Sequence, residues 1–305
     1  MTPAAILDGV AKIQAGGGSE PVTARDPVNL PMIHNWVEAI GDANPVYVDA
    51  AAARAAGHQG IVAPPAMIQV WTMRGLHDQH PADDPLGLAM DLMDQAGFTA
   101  VVATNCEQVY HRYLALDERV AMITRLDSVS GPKQTALGRG WFITTAHTWY
   151  SAGEEVASMR FRLLKYIAPA AGEQHAKQAV PALPRHQLAP LTIAATPTFI
   201  ISAALATRDF QDVHHDRDRA VAHGSKDIFV NILTDTGLVQ RFATGWAGPR
   251  AVIRGISLRL LAPCYAYDTL VFSGDATGTD GDVSVSVSAD GQLGQHLAAQ
   301  VQLTR

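Results

Sequence analysis

The chain lays out one plan twice, and that repetition limits the folds open to it. The stretch "PMIHNWVEAIGDANPVYVD" (residues 31–49) places Ile33, Trp36, Val37 and Ile40 at helical spacing, with Gly41 set to end the helix. The stretch "PTFIISAALATRDFQDVHHD" (197–216) repeats that spacing with Phe199, Ile200, Ala203, Ala204 and Thr207. Each helix feeds a short acidic loop. An apolar segment follows in each case and reads as a buried central helix. In the first unit it covers 62–79, with Met67, Val70, Trp71 and Arg74 at helical spacing; in the second it covers 227–246, with Ile232, Asp235, Leu238, Val239 and Phe242. Strands then close each unit, four between 99 and 167 and four between 250 and 304. Val283, Val285 and Val287 alternate with Ser284, Ser286 and Ser288, the mark of a strand with one face to water. Helix, acidic loop, central helix and antiparallel strands, taken twice, give an α+β architecture. Each sheet is expected to wrap its central helix, and the two sheets to pair edge to edge so that free strand edges are hidden.

The divider between the units is the Pro- and Ala-rich run at 168–198, which has little helical or strand periodicity and reads as extended linker. The expected organisation is therefore a first unit over 1–168, a linker over 169–189 and a second unit over 190–305. With 305 residues and 48% hydrophobic content, the chain can bury a sizeable core in each. A formal charge of −6 with no Lys/Arg cluster argues against a nucleic-acid partner. Two cysteines, Cys106 and Cys264, make no metal-type spacing and no disulfide framework. No run of 18 apolar residues is present, so no membrane helix is expected. The first twenty residues lack a basic region ahead of an apolar one, so they do not read as a signal peptide. These features point to a cytoplasmic protein.

One stretch stands out chemically. "ATRDFQDVHHDRDRA" (206–220) packs Asp209, Asp212, His214, His215, Asp216 and Asp218 into ten positions. Such a run can be a solvated loop, a metal site or an acid–base pair. Adjacent His214 and His215 point apart in an extended chain, and no third His or Cys has ligand spacing, which weighs against metal. Asp216 to Arg219 read as a charged face or cap of the next turn. The remaining histidines, His147 and His296 among them, carry no partner signal.

The stretch "GDANPVY" (41–47) resembles the hydratase motif of MaoC-like (R)-specific enoyl-CoA hydratases, which runs Gly-Asp-x-Asn-Pro-aliphatic-His. These enzymes have the hotdog fold, a sheet curled round one long helix, and the order of elements here is similar to a double-hotdog member over nearly the whole chain. The first unit keeps Asp42, Asn44 and Pro45 but has Tyr47 in the place of His. The second unit keeps the pair itself, with Asp209 followed five positions later by His214, inside a frame that reads Arg208, Gln211 and Asp212 instead of Gly, Asn and Pro. "VAPPAMIQVWTM" and "HHDRDRA" further resemble the non-catalytic and catalytic partners in hydratases of steroid side-chain degradation.

The resemblance implies hydration of a trans-2-enoyl-CoA to a 3-hydroxyacyl-CoA, with a bulky steroidal or long-chain acyl group. It implies Asp209 as the carboxylate that takes the water's proton and His214 as the group that orients the water and assists proton delivery. A backbone N–H near Asn231, at the start of the second central helix, is expected to serve the thioester oxygen. Tyr47, Met67 and Trp71 are candidate substrate-lining residues; a packed aromatic is the equal alternative for Tyr47, and Met67 and Trp71 are residues more often found in a core than in a ligand wall. The first unit is then non-catalytic and accommodates the acyl group. No cofactor is expected beyond coenzyme A, which is part of the substrate; Lys226, Arg241 and Arg250 could meet its phosphates. A homodimer of double hotdogs is the expected assembly. Rival readings are an acyl-CoA thioesterase using Asp235, a dehydratase of carrier-protein-bound chains, and a non-catalytic acyl-CoA-binding subunit.

Overall fold

The structure is a computed structural model that describes residues 1–77, 81–135, 137–167, 186–278 and 281–305. Most of the expected linker at 169–189 lies outside the described residues. The first half runs α1 (Pro3–Ala15), β1 (Val22–Thr23), α2 (Leu30–Ile40), α3 (Ala50–Ala55), α4 (Ile68–Thr72), α5 (Pro85–Gln95), β2 (Ala100–Tyr110), β3 (Val120–Thr135), β4 (Gly138–Ser151) and β5 (Glu154–Tyr166). The second runs β6 (His186–Gln187), β7 (Leu191–Ala195), α6 (Pro197–Ala206), α7 (Arg217–Ala222), α8 (Ile232–Ala247), β8 (Val252–Leu260), β9 (Asp268–Gly278), β10 (Asp282–Gly291) and β11 (Gly294–Thr304).

All strands join one antiparallel sheet in the order β1-β3-β4-β5-β2-β8-β11-β10-β9-β6, with β7 also on β9. The halves meet where β2 pairs β8, from Asn105 opposite Arg259 to Val109 opposite Gly255. Alternation in β10 sends Val283, Val285 and Val287 into the core while the serines between them stay half-exposed. Each half is thus a hotdog unit, and the two share a sheet as the repeated layout requires. α2 and α6 pack on each other and on α8. The closest approach is at Gly237, where a Cβ would stand 2.8 Å from the Trp36 ring, so only glycine lets α2 approach α8 there.

The central helices differ sharply. α8 has 16 residues, 13 of them buried. The expected first-half helix over 62–79 is not formed. A single 3₁₀ turn (Pro65–Met67) leads into the five-residue α4, and Met73 already has the extended ψ of 137°. Two consecutive prolines hold 64–65 out of a regular helix at the front. At the back, Thr72 Oγ1 accepts a hydrogen bond from Trp149 Nε1 at 2.9 Å, and Arg74 leaves the helical path to pair with Asp84 at 2.9 Å. Periodicity placed Met67, Val70, Trp71 and Arg74 on one face, but these local bonds end the helix first. Two elements that the layout missed, α1 and α5, build a second core against β3 and β4 around Ile6, Val10, Met93, Trp141 and Ile143.

Two buried histidines, one in each half, respond to pH in opposite senses. His147 sits between Thr124 Oγ1 (3.1 Å) and Thr145 Oγ1 (2.8 Å), and burial pushes its pKa down to about 4. It is neutral in the fold, so its contribution is complete above pH 6.5 and is lost as pH falls toward 4, by roughly 3 kcal/mol in all. His296 on β11 meets Asp235 Oδ1 at 2.9 Å, and although burial opposes it, the carboxylate raises its pKa. That contribution is complete below pH 6.5 and is lost as pH rises through the raised value. Melting temperature should therefore peak near pH 6.5. His147→Gln should flatten the acid limb between pH 6.5 and 4.5, and His296→Gln the alkaline limb; melts of both variants against pH check this.

Candidate active site

The acidic loop after α6 is built by an αL residue. Arg208 has φ 57°, and the Asp209 N–H donates back to the Ala204 carbonyl at 2.9 Å, which turns the chain out of the helix. Arg208 anchors itself to the other half, its Nε donating to the Met73 carbonyl at 3.4 Å. A single 3₁₀ turn, Asp212–His214, then swings His214 back over Asp209.

Both side chains are buried, Asp209 4% and His214 6% exposed, and Asp209 Oδ2 lies 3.6 Å from His214 Nε2. The tautomer of a neutral His214 follows from its other nitrogen: Nδ1 sits 2.8 Å from the Phe229 carbonyl, which can only accept, so Nδ1 carries the proton and Nε2 presents a lone pair toward Asp209. The Phe229 ring packs edge-on against the imidazole at 4.8 Å. Asp209 Oδ1 accepts from the Gln211 N–H at 3.3 Å, and Oδ2 accepts from Asn231 Nδ2 at 3.0 Å. Asn231 Nδ2 also reaches Thr207 Oγ1 at 3.0 Å.

Asn231 is therefore more than a marker for a backbone donor. It is the N-cap of α8, its Oδ1 accepting from the Thr234 N–H at 2.8 Å, while its amide NH₂ holds the carboxylate. The Thr234 and Asp235 amides are spent on Asn231, on its Oδ1 and its carbonyl respectively. Ile232 and Leu233, by position, have no intrahelical acceptor and stand at the positive end of the helix dipole.

The first half repeats this loop at a constant offset of 167 residues. Asp42 N–H donates to Val37 O as Asp209 does to Ala204, Gly41 is the αL residue at φ 70°, and Asn44 N–H donates to Asp42 Oδ1 at 3.1 Å. Val62 and Phe229, and Ala63 and Val230, make matching backbone bonds. Position 47 is Tyr where position 214 is His, and it is fully buried beside Asp42, with burial pushing the hydroxyl pKa far up. Burial also raises the Asp42 carboxyl, against the bond it receives from Gln240 Nε2 at 3.0 Å.

The other candidates fall as follows. Tyr47, Met67 and Trp71 lie in the packed core at 0%, 0% and 4% exposure, so none forms an open wall. The acidic run beyond His214 is local: His215 donates to Phe210 O, Asp216 caps α7, and Arg217 and Arg219 pair with Asp227 and Asp212. Arg241 is committed to the Ile40 carbonyl at 2.9 Å. Asp235 is fully buried, with Oδ1 2.9 Å from His296 Nε2. Among the described residues no group of three or more His, Cys, Asp or Glu could hold a metal, and no helix is long and apolar enough to cross a membrane. Helical spacing marks Thr207 only as a helix position, whereas an Asn just ahead of an apolar helix is itself an N-cap signal for Asn231.

Comparisons with known proteins give the chain's relatives. The family model "FAS1-like, dehydratase domain region" matches residues 16–159. The chain is 63% identical over 161 residues to the 3-oxo-4,17-pregnadiene-20-carboxyl-CoA hydratase alpha subunit of Mycobacterium tuberculosis, covering 53% of this chain and 52% of that protein. It thus spans about half the length of that curated relative. It is 66% identical over 109 residues to the beta subunit of the same hydratase, covering 35% of this chain and 84% of that protein. A solved MaoC-like dehydratase matches in fold at a TM-score of 0.71 and 16% identity, over 96% of this chain and 99% of that one.

Asn231 divides cleanly by substitution. Asn231→Ala should lower the melting temperature through the lost cap, about 1 kcal/mol, and should also free Asp209. Asn231→Asp keeps a capping oxygen but sets a second carboxylate beside Asp209. Its melt should stay nearer wild type than that of Asn231→Ala, as thermal melts would show.

Proposed function

The chain belongs to the MaoC-like hotdog family of FAS1-like dehydratases, and from that premise we propose that it hydrates trans-2-enoyl-CoA thioesters to 3-hydroxyacyl-CoA at Asp209 and His214. The observation that carries the reading is the buried pair itself: a carboxylate oxygen and an imidazole lone pair 3.6 Å apart, beside the N-terminus of α8. A water that donates one hydrogen to Asp209 Oδ2 and the other to His214 Nε2 turns its own lone pair outward, toward the β-carbon. As the C–O bond forms, Asp209 takes a proton from the water, and charge moves through the conjugated system onto the thioester oxygen. The helix-start N–H groups of Ile232 and Leu233 are placed to stabilise that oxygen. The proton held by Asp209 then passes, with His214 assisting, to the α-carbon, which restores the carboxylate and completes addition of one water. Asn231 keeps the carboxylate aimed, and the αL turn at Arg208 keeps it off the helix.

The short α4 supports a bulky acyl group. With the central helix cut to five residues, Met73, Met122 and Phe161 stay partly buried against the larger core, while α1 and α5 cover the same sheet near Trp141 and Ile143. Flexible thioether and aromatic surfaces suit a large apolar skeleton. The two relatives are named as hydratase subunits for a pregnadiene carboxyl-CoA, and a steroid side-chain thioester is accordingly the substrate class proposed here. On this reading one polypeptide unites a non-catalytic and a catalytic hotdog, and self-association of two such chains is its expected assembly.

Hydration assays test both levels. Asp209→Asn and His214→Ala should each lower kcat by 10²-fold or more with melting temperature nearly unchanged. Wild type should prefer a steroidal enoyl-CoA over crotonyl-CoA in kcat/KM. Release of free thiol from a saturated acyl-CoA would instead establish a thioesterase.

A further inference from the structure

A run of ring contacts leads outward from the buried pair. The His214 imidazole meets the Phe229 ring edge-on at 4.8 Å, and Phe229 meets the Tyr265 ring edge-on at 6.2 Å. Lys226 Nζ then stands 5.8 Å from the centre of the Tyr265 ring. Exposure rises along the run: His214 is buried, Phe229 and Tyr265 are partly exposed, and Lys226 is exposed. The backbone beneath it is tied down. Phe229 and Tyr265 form an antiparallel bridge, the Val230 N–H donates to the Cys264 carbonyl at 3.0 Å, and the Ala266 N–H donates to the Ile228 carbonyl at 3.0 Å.

The internal repeat shows what the fold alone requires here. The first half makes the same bridge between Val62 and Ala115, with the Ala63 N–H donating to the Leu114 carbonyl at 2.9 Å. Val62 and Ala115 therefore match Phe229 and Tyr265, while Gln59 matches Lys226 and Tyr47 matches His214 at the 167-residue offset. The bridge closes with a valine and an alanine, so packing asks for neither ring. Two aromatic rings and a cation occupy these positions only in the half that carries the histidine. The cation is also uncommitted. Arg217 and Arg219 pair with Asp227 and Asp212, whereas among the described residues Lys226 has the Tyr265 ring and no carboxylate. Arg250 lies past the far end of the 16-residue α8, about 24 Å along the axis from its start.

We propose that Phe229, Tyr265 and Lys226 form the coenzyme A strip of the site: the two rings flank the pantetheine arm, and the Lys226 ammonium meets a phosphate of the nucleotide. The inference rests on the reading of Asp209 and His214 as the hydration pair. With the thioester oxygen at the start of α8 and the acyl group toward the first half, the sulfur faces the segment 226–231 that leads into that helix. Partly exposed rings suit the apolar methylene and methyl groups of the arm. An exposed ammonium is a point charge that can follow a mobile phosphate.

Hydration of a steroidal enoyl-CoA, compared with the same enoyl group on pantetheine, tests this on the full chain. Pantetheine keeps the arm and lacks every phosphate. Wild type should prefer the CoA thioester in kcat/KM, and Lys226→Ala should cut that preference by about fivefold. The difference should shrink as salt is raised. Tyr265→Leu should raise KM for both thioesters, since both carry the arm. Gln59→Ala, at the matching place in the first half, should change neither. Calorimetric binding of coenzyme A itself needs no turnover, and Lys226→Ala should weaken it by the same factor. A preference left intact by Lys226→Ala, or a wild type that treats the two thioesters alike, would overturn the proposal. A wild type that hydrates neither thioester yet binds coenzyme A through Lys226 would keep the strip and overturn the reading of Asp209 and His214.

Discussion

The pairing of β2 with β8 is the contact on which the rest of the molecule depends. Five residue pairs join two curled sheets into one, and the joint fixes how the helices of each half face the other. α2 can then press Trp36 against Gly237 on α8. Only in that arrangement does Gln240 reach Asp42, and Arg208 the Met73 carbonyl. The two halves exchange side chains at their loops, so neither loop is shaped by its own half alone.

Within that frame the chemistry comes from small asymmetries laid over a strict repeat. The loops share backbone bonds, αL turns and a carboxylate at matching places. They differ in one ring, imidazole against phenol, and in what faces the carboxylate: a helix-capping amide in one, a glutamine from across the interface in the other. Both carboxylates are buried and both accept hydrogen bonds from neutral amides. The long α8 supplies a rigid base and the positive end of a dipole; the short α4 gives up both.

Much of this was legible in the sequence, and the failures are instructive. Strands announced themselves by alternation and by Asp or Gly turns, and the Asp-to-His spacing survived even though its frame had changed. Hydrophobic period misled at 62–79, because it reports which face is apolar and says nothing of hydrogen bonds that end a helix, here through Thr72 and Arg74. Met67 and Trp71 were visible as apolar, but periodicity cannot separate a cavity wall from a core. Asn231 was noticed for its backbone, whereas its side chain makes the contact with Asp209, a contact across 22 positions that no local pattern encodes. Gln240 gave no signal at all: a lone glutamine on a buried helix acquires meaning only through partners 174 and 198 residues away.

The outer margins of the shared sheet are finished by the chain itself. Ser19 and Ala24 donate to carbonyls of β3 at one margin, where β1 adds two residues. At the other, β6 and β7 follow one another along β9, where they contribute two and five paired residues. Strand addition by a neighbouring molecule would have to peel these short segments away first. Growth of the ribbon is thereby arrested at both ends, and contacts between molecules are steered toward side-chain surfaces, where recognition can be selective.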